Sequence, residues 1–127
     1  MKVSEESIKY GNVVLEKSFK FSVRIIKLYK FLLKNDFSIE PIIKQILRSG
    51  TSIGANITEA QNSPSIKDFI NKLNIALKEA RETEYWINLL NASDIIDNKS
   101  FESLSNDCKE LIKLLTSIIK TSKLNSK

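Results

Sequence analysis

Residues 48–62 read RSGTSIGANITEAQN, a run of small side chains in a chain otherwise rich in Lys, Ile and Leu. Six of the seven residues from Ser49 to Ala55 are small, Ile53 being the exception. Positions suited to burial still recur at helical spacing: Ile43, Ile46, Leu47, Gly50, Ile53, Gly54 and Ile57. The pattern predicts a helix whose inward side is nearly bare backbone. Glycine inside a helix costs about 1 kcal/mol against alanine. Gly50 and Gly54 therefore predict a compensating feature, the close approach of a neighbouring helix.

Working outward, this helix spans about residues 41–60, entered through Pro41, a residue favoured in the first turn, and ended by Gln61-Asn62-Ser63-Pro64. A third helix, about 65–92, opens on Ser65 with Asp68 three residues on, a start like a capping box. Its apolar stripe is Ile66, Phe69, Ile70, Leu73, Ala76, Leu77, Ala80 and Ile87, interrupted by Glu84. Beside it runs a second, semi-apolar stripe of Ile75, Glu79, Glu82, Trp86 and Leu90, which predicts packing on more than one neighbour. A fourth helix, about 100–120, buries Phe101, Leu104, Cys108, Leu111, Ile112, Leu115, Ile118 and Ile119, with Asp97, Asn98 and Ser100 as cap candidates. The first helix is expected over about 12–34 with Asn12 as N-cap. On its wheel Leu15, Phe19, Ile26, Tyr29 and Leu33 lie with Phe21, Ile25, Leu28 and Leu32 on the core side. Residues 1–11 and 121–127 read as flexible ends. Four amphipathic helices with short connections predict an all-α, up-down-up-down four-helix bundle in a single domain, 1–127.

Lys and Arg outnumber Asp and Glu by 20 to 15, and the excess is local. Between residues 13 and 35, Lys17, Lys20, Arg24, Lys27, Lys30 and Lys34 face Glu16 alone, so this segment carries the whole net charge of +5. Lys17, Lys20, Arg24, Lys27 and Lys34 form one stripe about 25 Å long at 1.5 Å rise per residue. Phe31 falls among these cations. Such an aromatic can stack on a nucleobase; the alternative is a subunit contact, or a half-exposed ring under lysine stems.

Histidine is absent, which removes the commonest general base and the commonest metal ligand. The single Cys108 cannot build a zinc site or an internal disulfide and reads as a partly buried small residue. SGTSIGAN lacks the Gly-Lys-Ser/Thr ending of a phosphate loop. The inward carboxylates Glu59, Glu79, Glu82 and Glu84 share their helices with Arg48, Lys78 and Arg81, so structural ion pairs are expected rather than an acid/base dyad. Arg48 is expected to pair with Glu79, Glu82 or both, with Asn56 and Glu59 at the same helix junction. No enzyme activity, cofactor or metal is expected. No apolar run reaches the roughly 20 residues of a membrane span, and MKVSEESIKYGN has no apolar signal core, so a cytoplasmic protein is expected.

The segments RSGTSIGANITEAQ (48–61), DFINKLNIALKEARET (68–83) and YWINLL (85–90) together closely resemble the bacterial four-helix-bundle family also called 23S ribosomal RNA intervening-sequence proteins. The resemblance is carried by the second and third helices, and by pattern in the other two. Many members read Asn-Ile-Ala-Glu-Gly where this chain has Thr58 and Ala60, so it resembles the subgroup with Glu-Ala-Arg-Glu-Thr. The motif positions it marks are Arg48, Gly50, Gly54, Asn56, Glu59, Glu79, Arg81, Glu82 and Trp86. The resemblance implies a homopentamer with no established biochemical activity. It also implies kinship with accessory proteins of diversity-generating retroelements, basic pentamers that bind nucleic acid and a reverse transcriptase. Two function classes follow. One is a scaffold binding DNA or RNA backbone without sequence preference, through the basic first helix (Lys17, Lys20, Arg24, Lys27, Phe31, Lys34). The other is an oligomeric module whose partner is a protein and not a nucleic acid.

Overall fold

The computed structural model describes residues 5–126, with side chains from Asn12 onward. Four helices follow in order: α1 (Glu5–Asn35), α2 (Glu40–Ala60), α3 (Ile66–Ala92) and α4 (Asn98–Asn125), with a 3-10 turn at Phe37–Ile39 between α1 and α2. Among the described residues there is no strand, and no helix is long and apolar enough to cross a membrane. α1 packs on α2 and α4, α3 packs on the same two, and among the described residues the backbones of the diagonal pairs do not come close. That is the neighbour pattern of an up-down-up-down bundle. The α1–α4 seam is the sparsest of the four.

Local chemistry explains the helix ends. Asp36 accepts from the Ser38 amide at 3.0 Å and starts the 3-10 turn. Pro41 sits in the first turn of α2, where a missing N–H leaves no hydrogen bond unmade. Ser65 caps α3 by accepting from the Asp68 amide at 3.2 Å, while its hydroxyl donates to the Asp68 carboxylate at 2.8 Å. Asp97 caps α4 through the Ser100 amide at 2.7 Å. At the end of α3, Asp94 takes a left-handed φ of 57°. Its amide donates to Asn91, and the Ile95 amide donates to Leu90 at 2.9 Å. These two bonds make a Schellman motif, with Asp in the place glycine usually fills.

Two boundaries correct the sequence reading. α1 does not start at Asn12: residues 5–11, read as a flexible arm, are helical through Gly11, and Asn12 is interior. Extending an existing helix adds a hydrogen bond per residue, which one glycine at about 1 kcal/mol does not stop. Residues 1–4 lie outside the described residues. α4 likewise runs on to Asn125, past the expected end near Lys120. Thr-Ser-Lys-Leu-Asn contains no breaker, and Lys123 complements the dipole of the last turn.

The core takes Val14, Phe21, Ile25 and Leu32 from α1, Ile43, Ile46, Ile53 and Ile57 from α2, Leu73, Ala76, Ala80, Ile87 and Leu90 from α3, and Leu104, Cys108, Leu111 and Leu115 from α4. Leu90, assigned above to the second stripe of α3, is fully buried. Cys108 is buried completely, not partly, and its thiol donates to the Ala80 carbonyl at 3.3 Å. Burial, and after it the nearby Glu84 charge, pushes the thiol up to about 12, so it stays protonated and serves as a small core side chain. Ser49 and Thr83 form a buried polar contact between α2 and α3, their hydroxyl oxygens 2.8 Å apart. Since Thr83 has one proton and its oxygen also lies 2.7 Å from the Glu79 carbonyl, Thr83 donates there and accepts from Ser49.

The two glycines face α1. A Cβ on Gly50 would stand 2.8 Å from Cγ1 of the fully buried Ile25, and a Cβ on Gly54 would stand 3.3 Å from the Ser18 carbonyl oxygen and from Ser22 Oγ. Gly54 thus lets the α1 backbone approach, and Gly50 makes the socket for Ile25. This close contact offsets the helix-propensity cost of both residues.

Candidate functional site

The basic stripe of α1 divides into two halves. Lys17 Nζ lies 2.8 Å from Glu110 Oε1 on α4, and that carboxylate raises the lysine pKa above its ordinary value. Lys20 pairs with Glu16 one turn earlier at 2.9 Å, which lowers the Glu16 pKa. Arg24 belongs to the stripe expected to meet nucleic acid. Instead it is half-buried against α4, donating to Asp107 Oδ2 at 2.6 Å, to the Ser103 carbonyl at 3.3 Å and to Ser103 Oγ at 3.0 Å. These contacts bridge the sparse α1–α4 seam. The uninterrupted stripe from Lys17 to Lys34 is therefore corrected: its first half is neutralised locally, Lys17 and Arg24 by Glu110 and Asp107 on the face of α4 turned to α1, and Lys20 by Glu16 of α1 itself. Lys27, Lys30 and Lys34 remain without an ion pair among the described residues. They surround Phe31, which is 63% exposed. Lys30 was outside the five-residue stripe drawn from the sequence, although the wheel puts it near Lys27 and Lys34.

A second cluster joins α2 to α3. Arg48 donates to Glu79 Oε2 at 3.1 Å and to Glu82 Oε2, and Trp86 Nε1 donates to the same Glu82 oxygen at 3.1 Å. The Tyr85 ring meets Trp86 edge-on with centroids 5.0 Å apart. The remaining motif residues do not join this cluster. Glu59, expected inward, is exposed and bonds Lys72 at 2.8 Å. Asn56 bonds only within its own helix, to the Ser52 carbonyl at 2.9 Å. Arg81 is exposed and in no ion pair among the described residues. Both corrections follow from helix phase: Asn56 and Glu59 lie toward the solvent side of the α2–α3 seam. Because the Arg48 side chain is 50% exposed, its pairing is worth about 1 kcal/mol, not the roughly 3–5 kcal/mol lost when a buried pair is broken. In urea titrations of Arg48→Ala, Glu82→Ala and the double variant, a coupling near 1 kcal/mol is expected. Strict additivity would show that the contact contributes nothing.

The third feature is an apolar groove of about 760 Å³ between α1 and α2. Its walls are Leu15, Phe19 and Ile26, and its floor is Gly54, Ala55 and Thr58. The helical wheel placed Phe19 and Ile26 on the core side. In the structure they are 70% and 45% exposed. The apolar arc of α1 is wider than one bundle core can cover, and Phe21 with Ile25 takes the inward sector. That excess width was the available signal. The charges lining the groove are Glu16 and Lys20, which pair with each other. Among the described residues no group of three or more carboxylate or thiol side chains is placed to hold a metal ion.

Comparison with known proteins places this architecture. No curated protein matches the sequence significantly. A crystal structure of a protein of unknown function from the S23 ribosomal protein family of Bacteroides thetaiotaomicron VPI-5482 is 58% identical. It matches with a TM-score of 0.82, covering 87% of this chain and 98% of that one. The family profile described as 23S rRNA-intervening sequence protein matches residues 11–117, which take in the α1 face, the small-residue helix, the Arg48 cluster and most of α4. On that match, the chain belongs to the 23S rRNA-intervening sequence protein family.

Proposed function

We propose that the protein is a non-enzymatic assembly module that forms a homo-oligomer, a homopentamer in the form its resemblance implies, by docking a second copy in the α1–α2 groove. The observation that carries this reading is the exposure of Phe19 and Ile26 around a floor of Gly54 and Ala55. Burying a fully exposed side chain of this kind gains about 1.5–3 kcal/mol; Phe19 and Ile26 would contribute the part of it that their exposure leaves, and closed symmetry repeats the gain at every interface. Electrostatics points the same way. The Glu16–Lys20 pair leaves the groove locally neutral, so a copy with the same net charge is not repelled there and a polyanion finds nothing to bind. Light scattering and sedimentation test the reading. The native protein should run as a closed oligomer, and the Phe19→Glu, Ile26→Glu double variant as a helical monomer. A native monomer at every concentration examined would defeat it.

A second reading, contact with DNA or RNA, is favoured by one observation: Lys27, Lys30 and Lys34 are exposed and in no ion pair among the described residues. The two readings are compatible. Assembly would multiply three modest phosphate contacts around a ring.

A further inference from the structure

We propose that Phe31 and the cavity beside it form a subsite for one unpaired nucleobase, so that the protein prefers single-stranded nucleic acid to duplex. The proposal rests on the nucleic-acid reading and deepens it. The cavity holds about 300 Å³ between α1 and the start of α4. Leu28, Ile96 and Leu104 make its apolar floor, Phe31 its wall, and Arg24 and Lys27 its rim. Ser100 adds a hydroxyl at the mouth. An aromatic ring that is mostly open to solvent, set against an apolar floor, offers a stacking face to any base. Leu104 and Ile96 are buried and Leu28 half-buried, so the floor is part of the folded core and is already formed.

Charge selects a polyanion over an apolar protein segment. Arg24 is committed to Asp107, and Asp97 spends its carboxylate on the Ser100 amide. Lys27, at the rim, has no such partner, and Lys30 and Lys34 continue the positive surface along the outer face of α1. Lys27, Phe31 and Lys34 recur at four- and three-residue spacing, so cation, ring and cation lie along one side of the helix. A backbone phosphate on the lysines leaves its base free to reach Phe31. A duplex offers the same phosphates with its bases stacked inside and unavailable.

Fluorescence anisotropy at about 50 mM salt, where phosphate contacts are strong, tests the proposal with three probes of one length: a thymidine strand, an abasic strand and a duplex. The native protein should bind the thymidine strand at least about fivefold more tightly than the abasic strand, the low end of one base–aromatic stack. Phe31→Leu should remove that preference while leaving abasic and duplex binding unchanged. Lys27→Gln with Lys30→Gln should weaken all three probes. Equal binding of thymidine and abasic strands, or an unaltered preference in Phe31→Leu, overturns the base subsite while the phosphate reading stands. Failure to bind any probe overturns both, and leaves Phe31 as a contact for a protein surface.

Discussion

Gly50→Leu is expected to lower stability by about 3 kcal/mol, the upper end of ordinary overpacking. Even a bare Cβ at this position would lie 2.8 Å from Cγ1 of Ile25, which is fully buried and has no room to turn away. For a chain of this size each kcal/mol moves the melting midpoint by about 4 °C, so a fall of roughly 12 °C is expected. Gly50→Ala should also destabilise, despite the roughly 1 kcal/mol gain in helix propensity. Gly54→Ala should cost less than Gly50→Ala, because its Cβ would meet its nearest neighbour, the Ser18 carbonyl oxygen, at 3.3 Å rather than 2.8 Å. Gly54→Leu, which extends past that oxygen into the α1 backbone, should again cost about 1–3 kcal/mol. Adding Ile25→Ala to Gly50→Leu should recover part of the loss, since the cavity and the extra side chain share one space. Thermal melts by circular dichroism decide the matter: a Gly50→Leu variant that melts with the native protein would mean that α1 and α2 do not meet at this point.

Phe21→Ala is expected to cost about 3–5 kcal/mol, the usual range for emptying a buried aromatic site. Phe21 is 2% exposed and stands in the core sector of α1. Phe31→Ala, ten residues along the same helix, should stay within about 0.5 kcal/mol, because its ring is mostly solvated and alanine is the better helix former. Urea titrations of the two variants compare burial directly, with residue type and helix held constant. Equal losses would contradict the phase of α1 about the core. The near-native stability expected for the Phe31 variant is also what makes its nucleic-acid binding interpretable.

The sequence carried the number of helices, their order and the α2–α3 seam. Gly50 and Gly54 at helical spacing predicted a close neighbour, and Arg48 with Glu79 and Glu82 predicted a bridge between helices. Those features are legible because they depend on residue spacing along one helix, and the 3.6-residue period converts spacing into a face. Other features depend on which helix turns which face to its neighbour, and spacing alone does not contain that. Asp107 and Glu110 lie more than 80 residues from Arg24 and Lys17 in the chain, yet they neutralise those two members of the basic stripe because α4 packs on α1. Phe19 and Ile26 are as apolar as Phe21 and Ile25, yet the bundle has room for one pair and leaves the other at the surface. Periodicity and small residues by themselves determined that this chain is a four-helix bundle with a close helix contact at Gly50 and Gly54. Tertiary packing decided that Lys17 and Arg24 lose their free charge to α4 and which aromatics meet water, because burial and pairing between helices are properties of two surfaces in contact and a helix pattern describes only one.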